Sequence, residues 1–374
     1  MSTTTTQTNI PSIPDYVVVP ETSEILDWAD LATLDLSKFN EPGGKEALAA
    51  ELAVAIETIG FFYVSNYGLT SKDIDRQYAL ARSVTSLSDE QKQPYRAALE
   101  AGDYNGWKPA GIRESLPGIR DNYEIYNIPK FIPEHRDRAH PEVVTQNFGE
   151  IERFSKHIHN EIVKKLLVLF ALVLKLEDED YFVRLHRYEA ASGDHLRYMK
   201  YYHRSAEENE KLGNLWLKGH SDMGSLTLLF RQPVAALQVL TPTGKWKWVK
   251  PQENALTVNI ADGLQFLTNG FLKSSIHRVV APPKDQAHID RLGVIYMVRL
   301  EDDTELLPIE DSPVLRERGL VSEKILGEDG KPLKAGDWVK ARVIKNIGAT
   351  SGKEGDHAVS DVEVLKGVKM TYFD

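Results

Sequence analysis

The chain contains no cysteine. That absence excludes a disulfide framework, thiolate zinc fingers, iron–sulfur clusters and thiol nucleophiles together. Any metal must then be held by histidine and carboxylate. No apolar run reaches the roughly 20 residues that span a bilayer. Positive charge is not in excess: 45 Lys and Arg face 55 Asp and Glu, a net charge of −10. The electrostatic footprint of a nucleic-acid or anionic-membrane binder is therefore missing. There is no phosphate loop and no dinucleotide glycine fingerprint. The threonine tract Met1–Gln7 has neither a basic nor an apolar region, so it does not read as a secretory leader. Thr371–Asp374 matches no receptor-read address. The expectation is a cytoplasmic protein with a small-molecule substrate, no nucleic acid and no membrane.

What is present suffices for a full core: 374 residues, 42% hydrophobic and 27% charged. Gly44–Ile59 carries Leu48, Leu52, Ala55 and Ile59 at helical spacing, and Gly60 ends it. Phe61–Val64 reads as a strand. Thr70 with Asp73, and Ser88 with Gln91, read as capping boxes. Residues 101–140 are rich in glycine and proline and hold one strand, Tyr123–Ile128. Ile151, Phe154, Ile158, Ile162, Leu166, Leu169 and Val173 form an apolar stripe more than five turns long.

From Leu196 the period changes. Short runs at Leu226–Phe230, Leu237–Leu240, Trp246–Val249, Leu256–Ile260, Leu264–Leu267, Ser275–Val280 and Leu292–Val298 are separated by turn residues. That spacing predicts a sandwich or barrel: one mainly-β, antiparallel core flanked by α-helices. A single unit is expected, with a helical and irregular part at about 20–190, a β core at about 191–300 and an extension at 301–374. Trp338, Val339, Val343 and Ile344 of the extension are expected to pack back on the core.

His220 and Asp222 precede the run Leu226–Phe230. On extended backbone, residues i and i+2 share a face, so imidazole and carboxylate point together. His277 follows 55 residues later. Two histidines and a carboxylate are the facial ligand set of non-haem Fe(II), which leaves positions open for substrate and O₂. A lone His-x-Asp is common by chance, so the context decides. His157 and His159 flank Ile158 and fall on different helix faces, which is a structural rather than a ligand spacing. Trp246 and Trp248 read as sheet packing.

The context is extensive. Gly219–Leu229, Leu237–Val239, Trp246, Val249, Val258–Leu264, Thr268–Gly270, Lys273–Ser274 and His277–Val279, with Gly60–Leu69 near the N-terminus, resemble the 2-oxoglutarate and Fe(II)-dependent dioxygenases of the isopenicillin N synthase type. The resemblance spans about residues 44–300. It implies a double-stranded β-helix (a cupin-like jelly roll) with Fe(II) on His220, Asp222 and His277. It also implies O₂ and 2-oxoglutarate as cosubstrates, ascorbate as a candidate reductant, and hydroxylation, desaturation or ring rearrangement of a small organic molecule, with specialised-metabolite biosynthesis the expected setting.

The cosubstrate role falls on Arg291, with Tyr202 and Lys200 at the positions of the family's tyrosine and asparagine. A guanidinium suits the distal carboxylate of 2-oxoglutarate. Gly293 stands where the family usually has serine. Tyr104, Arg113, Arg120 and Tyr123 lie in the segment that helps cover the substrate pocket in this family. Two alternatives stay open: an oxidase of the isopenicillin N synthase kind that uses no 2-oxoglutarate, and an idle jelly-roll binding protein.

Overall fold

The computed structural model describes residues 13–322, 326–327, 330–348, 360–365 and 368–372. The tract Met1–Gln7 and residues 373–374 lie outside them. Strands follow in chain order: β1 (Thr33–Asp35), β2 (Phe61–Ser65), β3 (Gly106–Lys108), β4 (Glu114–Leu116), β5 (Ile119–Arg120), β6 (Tyr123–Pro129), β7 (His195–Tyr201) and β8 (Leu215–His220). β9 (Leu226–Leu229), β10 (Leu237–Leu240), β11 (Trp246–Trp248), β12 (Ala255–Ile260), β13 (His277–Val280) and β14 (Arg291–Val298) complete the two main sheets. The major sheet has the order β1-β2-β12-β9-β14-β7-β6-β3, and the minor sheet β11-β10-β13-β8.

The two sheets face each other as a jelly roll. Tyr123, Ile125, Met199 and Tyr201 of the major sheet pack with Trp216, Ala236 and Val279 of the minor side. The alternate residues of the major sheet, among them Leu226, Leu228, Val258, Val294, Tyr296 and Val298, face the helices. Strand alternation thus separates an inner, site-facing set from an outer, helix-facing set. β1, β2, β3 and β6 come from before residue 130, so the early helical part and the later β core share one sheet.

Local chemistry explains most elements. Both expected capping boxes form, Thr70 with Asp73 and Ser88 with Gln91. The helix Gly44–Thr58 buries Leu48, Leu52, Ala55 and Ile56. It stops at Gly60, whose φ is 74° and where a Cβ would come within 2.3 Å of Ser275 Oγ.

The long apolar stripe is not one uniform helix. Phe148–His157 and Lys164–Val173 are α-helical, and Ile158–Val163 between them is a π-turn. The reason lies in the spacing. Phe154, Ile158, Ile162 and Leu166 recur every four residues, which in an α-helix of 3.6 residues per turn drifts by roughly 40° per step. A wider π-turn takes up that drift and keeps all four buried.

Two other expectations fail. Leu264–Leu267 is a helix (Asp262–Leu267) and not a strand: Leu264 and Leu267 are buried at i, i+3 spacing. In the helix Ala335–Gly348, Trp338 and Val343 are buried as expected, whereas Ile344 is 43% exposed. Among the described residues no helix is long and apolar enough to cross a membrane.

Leu166 is fully buried in the helix layer on the outer face of the major sheet. Leu166→Ala is expected to cost about 2–5 kcal/mol of stability. Thermal unfolding should read the loss, with the metal affinity of the folded protein unchanged.

Candidate metal centre

β8 and β13 are antiparallel neighbours, and their register sets His277 directly opposite His220. Asp222 follows β8 by two residues. The three side chains meet: one ligand atom from each lies within 4.8 Å of the others. His220 Nε2 is 4.0 Å from one Asp222 oxygen, and His277 Nε2 is 3.9 Å from the other.

The surrounding hydrogen bonds prepare these atoms. His220 Nδ1 donates to Lys218 O at 2.8 Å, and His277 Nδ1 to Ser275 O at 3.1 Å. Both Nε2 lone pairs are therefore free and aimed inward. Thr227 Oγ1 and Asn259 Nδ2 donate to Asp222 Oδ2 at 2.7 and 3.0 Å, fixing the carboxylate. Burial, aided by His277, pulls the His220 pKa down to about 4, so its imidazole is neutral at physiological pH. Burial works to raise the Asp222 pKa. The two imidazoles and the bonds from Asn259 and Thr227 overcome it and hold the carboxyl well below the usual range. The neutral His220 imidazole, a second imidazole from His277 and an ionised carboxylate make a ligand set that suits Fe(II).

The ligand loop is clamped from behind. Asp262 N and Gly263 N donate to Asp222 O and Gly224 O at 2.9 and 2.6 Å. Arg342 of the C-terminal helix donates to Asp262 at 2.5 Å and to Ser221 O, between two ligands, at 3.1 Å.

Arg291 starts β14 on the inner face and is 6% exposed. A surface ion pair with Asp285 or Asp290 does not form. Asp285 takes Thr22 and Ser23, and Asp290 takes Lys200 and His203. Among the described residues Arg291 has no ion pair; its Nε donates only weakly to Val234 O, at 3.4 Å. A buried guanidinium without a carboxylate calls for an anionic ligand.

Tyr202 and Lys200 do not join Arg291. Lys200 turns outward to Asp290 at 3.0 Å, and the Tyr202 hydroxyl donates to Glu124 at 2.5 Å. Tyr201 stands opposite Arg291 in register, with its ring 5.7 Å from the guanidinium carbon and stacked on Trp216. The period-2 alternation of β7 puts Met199 and Tyr201 inside, so the inward tyrosine lies one residue before the expected Tyr202. Gly293 is also inward, and a Cβ there would meet only Met199 O, at 3.8 Å.

Of the covering residues, Tyr123 packs on Tyr201 with ring centroids 5.2 Å apart. The Tyr104 ring lies edge-on to His195. Arg120 is exposed and donates to Gly111 O, and the Arg113 backbone N–H donates to Asp121. His157 bonds Tyr67 O and His159 bonds His186 O, both structural roles. Sequence reasoning missed Tyr201, Thr227, Asn259 and Arg342. Asn259 could have been found from the alternation of β12, whose inner residues are Ala255, Thr257 and Asn259.

The profile of the 2OG-Fe(II) oxygenase superfamily matches residues 193–299, and that of the non-haem dioxygenase in morphine synthesis N-terminal region matches residues 31–147. The 2-oxoglutarate-dependent dioxygenase FG08081 of Gibberella zeae is 30% identical over 287 residues, covering 75% of this chain and 83% of the relative. Scopoletin 8-hydroxylase of Arabidopsis thaliana is 26% identical over 278 residues, covering 72% and 73%. Among solved structures, a full-length Neurospora crassa protein in complex with alpha-KG superposes with a TM-score of 0.70 at 22% identity, over 84% of this chain and 95% of that one. JOX2 in complex with 2OG, Fe and JA superposes with a TM-score of 0.65 at 21% identity, over 93% of each.

Thr227→Val removes one of the two donors that orient Asp222. Metal affinity should fall by about 10–100-fold, as read by direct metal titration, with the fold retained.

Proposed function

The chain belongs to the 2OG-Fe(II) oxygenase superfamily, and on that premise we propose that His220, Asp222 and His277 hold its Fe(II), with Arg291 and Tyr201 receiving the distal carboxylate of 2-oxoglutarate. The protein is a 2-oxoglutarate-dependent dioxygenase, an oxidoreductase acting on a small organic substrate. One observation carries the residue assignment: three donor atoms converge within 4.8 Å, each already oriented by its own hydrogen bonds. Iron bound there supplies O₂ activation coupled to oxidative decarboxylation of 2-oxoglutarate to succinate and CO₂.

The chain's own residues do the rest. Lys218 O and Ser275 O fix both imidazole tautomers. Thr227 and Asn259 hold Asp222 ionised and in place. Arg291 anchors the cosubstrate at one end of β14. Leu237, Val279 and Ile295 of the facing sheets keep the space between apolar, which strengthens electrostatic contacts inside it.

An oxidase without 2-oxoglutarate is disfavoured, because the 30%-identical relative is named as 2-oxoglutarate-dependent and Arg291 has no other anion. An idle binding protein is disfavoured by the complete ligand set. The Neurospora crassa protein with thymine and JOX2 with JA hold small molecules. That supports a small-molecule substrate here. The 26% identity to Scopoletin 8-hydroxylase supports a specialised-metabolite substrate.

His220→Ala should abolish both metal retention and succinate release. Turnover that survives with stoichiometric metal removes His220 from the ligands. Arg291→Gln should weaken 2-oxoglutarate binding by about 1.5–3 kcal/mol, tenfold or more, as read by the anaerobic charge-transfer band. Gly293→Ser, for which there is room, should tighten the same binding by about 0.5–1.5 kcal/mol. No change in cosubstrate affinity in either variant would take β14 out of the cosubstrate site.

A further inference from the structure

Arg299 continues the inner-facing series Arg291, Gly293, Ile295, Met297 just past the end of β14. It is 1% exposed, and its Nε, Nη1 and Nη2 all lack a hydrogen-bond partner. Its stem is accommodated by two glycines. A Cβ on Gly193 would come within 2.8 Å of Arg299 Cδ, and one on Gly224 within 3.2 Å of its Cγ. Space has thus been made for a buried cation that forms no ion pair among the described residues.

Among the described residues no neighbour accepts from the guanidinium. Asp194 receives the backbone N–H of Arg299, not the guanidinium, and Lys130 and His159 face that carboxylate from 3.8 and 3.6 Å. Asp302 exerts a weak pull without forming an ion pair, and Arg342 repels. Trp338 Nε1 and the Tyr104 hydroxyl are likewise buried without partners. Arg197 lies on the other side of Tyr104: the ring is 5.1 Å from the Arg299 guanidinium carbon and 5.7 Å from that of Arg197. Among the described residues Arg197 bonds Asn127 and His195. The Arg299 guanidinium and the Trp338 N–H are donors left without acceptors among the described residues, which is costly in a protein interior unless an anion completes them.

Arg299 opens on a small cavity lined by Met223, Gly224, Leu300, Trp338 and Val339. Met223 directly follows the ligand Asp222, so the cavity abuts the metal loop. We propose that this cavity is a carboxylate-binding site that takes the acid end of the substrate, received by the Arg299 fork and the Trp338 N–H. A planar monoanion matches a guanidinium fork between aromatic walls. The site is distinct from that of 2-oxoglutarate, because Arg291 lies eight residues back along the same face of β14, roughly 25 Å at about 3.3 Å per residue. Calling the occupant substrate rests on the metal assignment above. Burial, with Arg342 nearby, draws the Arg299 pKa down to about 9, which leaves it cationic at neutral pH.

The test uses the whole protein loaded anaerobically with Fe(II) and 2-oxoglutarate, so that the Arg291 end is filled. Thermal midpoints are followed with acetate and with neutral acetamide at constant ionic strength. Acetate should raise the midpoint by about 2 °C or more and acetamide should not. The acetate response should vanish in Arg299→Met and shrink in Trp338→Phe. No response to acetate in the wild type, an equal response to acetamide, or an undiminished response in Arg299→Met overturns the proposal. If Arg299→Met fails to fold, an undiminished acetate response in Trp338→Phe overturns it. The charge-transfer band of the same samples separates the two readings. A missing wild-type band unseats the metal assignment, whereas a normal band without an acetate response unseats only the carboxylate site.

Discussion

The antiparallel pairing of β8 with β13 at the His220–His277 position is the constraint from which the chemistry follows. It sets His277 across from His220, and the two-residue step to Asp222 brings the carboxylate to the same side. A shift of one residue would turn His277 toward the outside and leave no metal site at all. The packing around this pair defends the register. Val279 and Trp216 lock the minor sheet against Tyr201 and Met199 of the major one, and Phe61 meets the His277 ring edge-on at 5.5 Å.

Around that pair the molecule is graded. Ligands come first, then the donors Thr227 and Asn259, then the clamp of Asp262 and Arg342. Each layer immobilises the one inside it, so the inner atoms need little reorganisation when a ligand arrives. The buried ion pair of Arg342 with Asp262 is weak evidence for stability by itself. Its Nη2 reaches Ser221 O, and that bond makes it part of the site's geometry.

Much of this is legible in the sequence. Helix starts can be read because a capping box is a local hydrogen-bond pattern, and the Thr70 and Ser88 boxes both form. His220 and Asp222 can be paired because strand alternation is local as well. Legibility ends where a partner strand or a distant segment decides. Tyr202 and Tyr201 cannot be told apart from their own neighbours, because the inward face of β7 is fixed by its pairing with β14. Leu264–Leu267 reads as a strand because three apolar residues in four fit either period. The π-turn at Ile158–Val163 and the clamp from Arg342 arise from long-range packing, about which local spacing says little.

The C-terminal helix lies beyond both profile-matched stretches, yet its Arg342 grips the peptide linking two metal ligands. Tail and ligand loop are therefore coupled under mutation: a change at Asp262 strands the Arg342 charge, and a change at Arg342 strands Asp262. Divergence at either position would have to be reciprocal, and an oxygenase that exchanged this tail for another would have to rebuild the floor beneath its own metal.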